Sequence, residues 1–115
     1  MERIRQQRVE EQIRIEVSQL ILRGEIKDPR VDSFLSITRV DVARDGSHAK
    51  VFVSTFREGD ALTEGVAGLN HAAGFIQGSI SKRIRIRLTP RLVFCPDPGI
   101  KEGFEMGEKI KGLFP

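Results

Sequence analysis

Two histidines, His48 and His71, a single cysteine, Cys95, and a run of cations, Lys82, Arg83, Arg85, Arg87 and Arg91, are the side chains from which chemistry could be built. An imidazole can carry a proton or ligate a metal. Neither histidine has a Cys, His or carboxylate at metal-ligand spacing, so both are read as structural or solvent-facing. Cys95 stands beside Pro96 with no histidine nearby to lower its pKa, which reads as a small buried hydrophobe. No GxxxxGK[ST] loop is present to cradle a nucleotide. Glu10 and Glu11 are adjacent on a predicted helix and point apart, so they read as solvated charges rather than an acid/base pair. The sequence therefore predicts a binding protein and not an enzyme, with no metal and no cofactor.

The cations are the informative feature. From Gly65 to Pro96 there are five basic residues and no acidic one, while the rest of the chain holds 14 basic and 16 acidic residues. The whole net charge of +3 thus sits in one segment, the footprint of a polyanion-binding patch. If the segment is helical to Pro90, Arg83 and Arg87 lie one turn apart, with Lys82 near them and Arg85 at the flank. The stripe Ile76, Ile80, Ile84 and Leu88 then faces the core. Guanidinium groups bind phosphates bidentately and stack on bases, so the expected ligand is RNA. No buried partner is expected for these cations. Arg3, Arg5 and Arg8 form a secondary basic group mixed with acids.

The elements that must carry these residues follow from periodicity. At 115 residues, without repeats or linkers, the chain reads as one domain over 1–115, with about 98–115 loosely attached. One cysteine suits a reducing compartment, and neither a leader's apolar region nor a membrane span is seen, so a cytosolic protein is expected. Val9, Ile13, Val17, Leu20 and Ile21 predict an amphipathic first helix closed by Gly24. Residues 34–42 predict a strand whose apolar phase shifts between Ile37 and Val40, the mark of a bulge. Asp45-Gly46 predicts a hairpin, and Ala49, Val51 and Val53 alternate with Lys50, Phe52, Ser54 and Phe56 in the returning strand. Two helical stripes follow, interrupted at Ala72-Ala73-Gly74, where a kink is expected and where Gly74 should be needed for it. Leu92 to Phe94 predicts a third strand. The expected fold is α+β, ordered α-β-β-α-kink-α-β, with helices on one face of a three-stranded sheet and no βαβ crossover.

This arrangement resembles a type II KH domain, in which a GxxG loop between the helices clamps the nucleic-acid backbone. Gly65-Val66-Ala67-Gly68 has those letters but falls inside a helical stripe and reads as coincidence. Along almost its whole length the chain resembles the ribosome-binding factor A family. The resemblance rests on Arg8-Val9, Asp28-Pro29-Arg30, Ala72-Ala73-Gly74-Phe75-Ile76, Arg85-Ile86-Arg87, and Pro90, Leu92, Phe94 and Asp97 in that order and spacing. It implies a KH-like fold with AxG in place of GxxG, and binding to the small (30S) ribosomal subunit during late 16S rRNA maturation, with importance in cold adaptation; a monomer is expected. Gln77 stands where the family often has Arg, and Arg91 where Glu is common. The composition also admits a generic KH-type module for another RNA, or an interaction domain docking an acidic protein.

Overall fold

A computed structural model of the chain describes residues 3–84, 86 and 88–97. Helix α1 (Arg3–Leu22) leads into the antiparallel strands β1 (Leu35–Val42) and β2 (His48–Thr55). Helices α2 (Ala61–His71) and α3 (Ala73–Arg83) follow, and β3 (Arg91–Pro96) completes a sheet of order β1-β2-β3.

Helix α1 buries Val9, Ile13, Val17, Leu20 and Ile21, the stripe its spacing predicts. Gly24 ends it with φ +67, and the bonds Glu25 N to Leu20 O (3.0 Å) and Gly24 N to Ile21 O (3.1 Å) form a Schellman motif. The hairpin turns at Gly46 (φ +74), where Asp45 accepts bonds from the backbone and hydroxyl of Ser47.

The β1–β2 ladder pairs Ile37 with Val53 and Val40 with Val51, with the expected bulge between Ile37 and Arg39. The inner face of the sheet, from Leu35, Ile37, Val40 and Val42 through Ala49, Val51 and Val53 to Leu92 and Phe94, is buried. Against it pack α1, α2 and α3, with Leu69, Ile76 and Ile80 fully covered. Among the described residues the opposite face carries no helix, as expected.

The expectation of no βαβ crossover is not met. Strands β2 and β3 are parallel, with Ala49 opposite Leu92 and Val51 opposite Phe94. Residues 56–90, which hold α2 and α3, supply the long connection over one face that parallel neighbours require. Alternating burial marks β3 as a strand but carries no information about its direction.

The second correction concerns the end of α3. The helix stops at Arg83, and Ile84 is extended at φ −111 and ψ 127. The letters Ile84-Arg85-Ile86-Arg87-Leu88 alternate with period two, and β-branched residues suit extended backbone. Ile84 is buried and Ile86 packs against the core, whereas Leu88 is 75% exposed. The helix expected to run to Pro90 therefore ends at Arg83, and Arg87, expected one turn further on, lies outside the described residues.

Gly65 and Gly68 lie within α2, as read, but they have a structural role. A Cβ on Gly65 would meet Leu35 Cδ2 at 2.7 Å. One on Gly68 would meet Val31 Cγ2 at 2.9 Å and Asp28 Oδ1 at 3.0 Å. The two glycines seat α2 against β1 and against the 28–31 loop.

Candidate nucleic-acid interface

The break between α2 and α3 falls on Ala72, at φ −89 and ψ 6. The backbone ladder runs through it, with Ala72 N bonded to Gly68 O and Ile76 N to Ala72 O, both at 3.0 Å. Ala73 is the first residue of α3 and Gly74 the second. Gly74 has no positive φ, and nothing lies within 4 Å of where its Cβ would be. The kink is real, but Gly74 is not needed to make it.

Gly74 lies where two open clefts meet. One, of about 700 Å³, includes His48, Asn70, Gln77 and Arg91 and has no carboxylate among its lining residues. The other, of about 360 Å³, runs past Phe75, Gly78, Ser79, Lys82 and Arg83, with Glu25 from the end of α1. Lys82 and Arg91 are exposed and have no ion-pair partner among the described residues. The two cations thus border separate clefts on either side of the exposed α3 surface. Arg85 and Arg87 lie outside the described residues. Arg3 borders a third cleft with Gln6, Gln7, Glu10 and Arg44, and Arg5 and Arg8 are exposed on α1.

Arg83 differs from its neighbours. Its Nε lies 3.2 Å from Glu16 Oε1, and Glu16 is only 8% exposed. Ser79 Oγ donates to the same oxygen at 3.4 Å. The expectation that no cation here has a buried partner fails at Arg83, because a carboxylate on the covered side of α1 needs one. Arg83 ties α3 to α1.

Gln77 and Asn70 serve the strand beside them. Gln77 Oε1 accepts from Leu92 N at 2.9 Å, and the Asn70 carboxamide bonds both Phe94 N and Phe94 O. On the other edge Val42 N donates to Glu10 Oε2 at 2.8 Å, and Gln6 Nε2 donates to Val42 O. Glu10 is accordingly not a solvated charge; Glu11 is exposed and bound to Arg14, which lowers its pKa. Helix side chains thus take up outward backbone groups at Leu92 and Phe94 of β3 and at Val42, the last residue of β1, which blunts those edges against pairing with another chain.

Among the described residues Asp28 has the most perturbed carboxyl group. The Arg30 side chain and the Arg30 backbone N–H both donate to it and hold its pKa down to about 2. His48 and His71 are exposed, and His48 Nδ1 lies 2.9 Å from Ser47 Oγ. Cys95 is half-buried rather than buried, and its burial pushes the thiol up against the opposing charges of Lys50 and Arg39. Among the described residues no group of three or more His, Cys, Asp or Glu could hold a metal ion, and no helix is long and apolar enough to cross a membrane.

Two features of the helix-free face escaped the sequence reading. Arg39 Cζ lies 4.2 Å from the centroid of the Phe52 ring, and Arg57 Cζ lies 5.2 Å from that of Phe34. Phe52 falls in the polar phase of β2 and Phe56, just past its end, continues that phase, and this misplacement of aromatic residues was the available signal.

Residues 5–110 match the family profile of ribosome-binding factor A. The chain is 48% identical to the ribosome-binding factor A of Treponema denticola over 98% of its own length and 86% of the relative's. It is 42% identical to that of Borreliella burgdorferi, over 96% and 92%. Among solved structures, the crystal structure of ribosome-binding factor A from Thermus thermophilus superposes with a TM-score of 0.66 at 30% identity, covering 79% of this chain and 94% of that one. Coordinates of the Thermus factor fitted into a cryo-EM map of a 30S complex superpose with a TM-score of 0.63 at 28% identity, covering 80% and 94%. Fold and sequence agree along the same stretch of chain, and the protein belongs to the ribosome-binding factor A family.

Proposed function

We propose that this chain is a ribosome assembly factor that binds the small ribosomal subunit and assists late 16S rRNA maturation. The observation that carries the reading is the pair of clefts meeting at Gly74, each bordered by an exposed cation without an ion pair among the described residues, Arg91 in one and Lys82 in the other. Such a surface neutralises phosphates of folded RNA and recognises its shape by complementarity, and binding energy suffices as the mechanism. Arg85 and Arg87, which lie outside the described residues, are proposed as further RNA contacts, with Arg3, Arg5 and Arg8 as a secondary contact. The Thermus coordinates fitted into the map of a 30S complex support the small subunit as the partner. The blunted edge at β3 favours a monomer, and the cytoplasm, where subunits are assembled, is the place of action.

Co-sedimentation of the purified protein with isolated ribosomal subunits tests this. It should travel with free small subunits and not with large ones. Travel with other RNA would make it a generic RNA-binding module. Capture of an acidic protein that survives nuclease treatment would make it an interaction domain.

A further inference from the structure

Of the described phenylalanines only Phe94 joins the core; Phe52 is half-buried, Phe34 is 55% exposed and Phe56 is 95% exposed. Rings left in water give up the stabilisation that burial would bring, so their position asks for another use. Phe34 and Phe56 directly follow the last pair of the β1–β2 ladder, Leu35 with Thr55. Further along the same ladder, Arg39 lies opposite Phe52 and stacks on its ring. The bulge creates that stack. Without the extra residue, strict alternation after Ile37 would turn Arg39 toward the core, whereas the register shift leaves both Thr38 and Arg39 exposed. At the open end of the ladder Arg57 covers Phe34 and is held there by Asp32 at 2.7 Å.

The charges of this face are largely satisfied from within. Asp32 binds Arg57, Asp41 binds Arg39 at 3.3 Å, and Asp97 bonds Thr38. A face so balanced has little to offer a bare phosphate. It offers flat planes, the Phe56 ring and two guanidinium–ring pairs, Arg39 on Phe52 and Arg57 on Phe34, with Phe52 and Phe56 about 13 Å apart at the rise of an extended chain. Flat, amphipathic planes at that spacing suit unstacked bases. We infer that the face of the β1–β2 ladder opposite the helices is a stacking platform for unpaired bases of single-stranded RNA, with Phe56 and the Arg39–Phe52 and Arg57–Phe34 pairs as its planes. This rests on the RNA-binding function proposed above and adds a second contact, separate from the cationic clefts.

The chain has no Trp and no Tyr, so Phe56→Trp in the full-length protein makes a single reporter at a site where folding asks nothing of the side chain. The free protein should show the emission of a solvated indole, and an unstructured oligoadenylate should quench it saturably. Phe56→Ala, and more so the Phe34→Ala, Phe56→Ala double variant, should weaken oligoadenylate binding. About 1–3 kcal/mol per stacked base, at 1.36 kcal/mol per tenfold, corresponds to roughly 5- to 150-fold in Kd. The salt slope and the urea midpoint should stay as in the parent protein. Absence of quenching while the parent still co-sediments with small subunits would overturn the platform and leave the assembly function standing. Blue-shifted emission in the free protein would overturn it too, assigning the face to residues 98–115, or to a second copy if the shift depends on concentration. Quenching by RNA-free ribosomal proteins but not by oligoadenylate would assign the face to a protein. If the parent binds neither subunits nor oligoadenylate, the assembly function falls and the platform with it.

Discussion

The Asn70 side chain brackets the backbone of Phe94: its amide nitrogen donates to Phe94 O at 2.9 Å, and its carbonyl oxygen accepts from Phe94 N at 2.8 Å. A helix residue thereby supplies both partners that an adjacent strand would have offered, and β3 ends the sheet without leaving a sticky edge. Asn70→Ala should lower the stability by roughly 1–3 kcal/mol, because two part-buried backbone groups lose their partners. Asn70→Asp keeps the acceptor but sets a carboxylate against Phe94 O, and should fall short of wild type as well. Urea denaturation checks both.

Arg83 and Glu16 should behave as a pair. Arg83→Gln strands a nearly buried carboxylate and should cost about 1–2 kcal/mol, reduced from a fully buried pair because Arg83 is half exposed. Glu16→Gln in the same chain should recover part of that loss, and a double-mutant cycle from melting curves measures it. A test of RNA binding that includes Arg83 would mix stability with affinity.

Lys82→Gln and Arg91→Gln are the clean electrostatic probes, since both side chains are exposed. Each should leave the melting curve within about 0.5 kcal/mol of wild type. Each lost phosphate contact should reduce the slope of log K against log salt by about 0.7–0.9 in binding to small subunits. Unchanged slopes would move the contact surface to Arg3, Arg5 and Arg8.

The glycines of the helix pair should respond with opposite signs. Gly74→Ala adds a methyl group where nothing lies within 4 Å, in ordinary helical backbone, and should raise stability by about 0.5–1 kcal/mol. Gly68→Ala drives a methyl group into Val31, Asp28 and Arg30, and should lower it by about 1–3 kcal/mol. Their urea midpoints should move apart. If Gly74→Ala also weakens subunit binding, Gly74 faces RNA.

Asp28 sets an acid limit on stability. Its pKa is about 2 in the folded chain, below the ordinary value of 3.8, so the unfolded chain binds more protons between those values. The contribution is present in full above about pH 4 and is lost as pH falls toward 2. The urea midpoint of wild type should drop across that window, and Asp28→Asn should drop less.

The legible parts of the sequence were those with a local cause. The α1 stripe and Gly24, the Asp45-Gly46 turn and the phase shift at the bulge each follow from a few adjacent residues. Residues meeting across the fold were not legible. Arg83 carries no mark of Glu16, 67 positions away, and the Gly65 and Gly68 letters suggest a loop until Leu35 and Asp28 are seen against them. The end of α3 was legible and misread, because Ile76, Ile80 and Ile84 keep the helical period up to the residue where period two begins. Lys82 and Arg91 could be named as exposed cations. Their division between two clefts, and the bulge that turns Arg39 onto Phe52, depend on packing and pairing that no single segment encodes.

The parallel pairing of β2 with β3 also bears on how the chain acquires its shape. The β1–β2 hairpin closes over five residues, 43–47, and can form early, whereas β3 must bring together ends separated by residues 56–90. As the chain leaves the ribosome during its own synthesis, β2 presents an unpaired side until Phe94 has emerged and Asn70 has closed over it. The final strand is therefore the step that commits the molecule to its native state. Substitutions in the β2–β3 register should speed unfolding more than they slow folding.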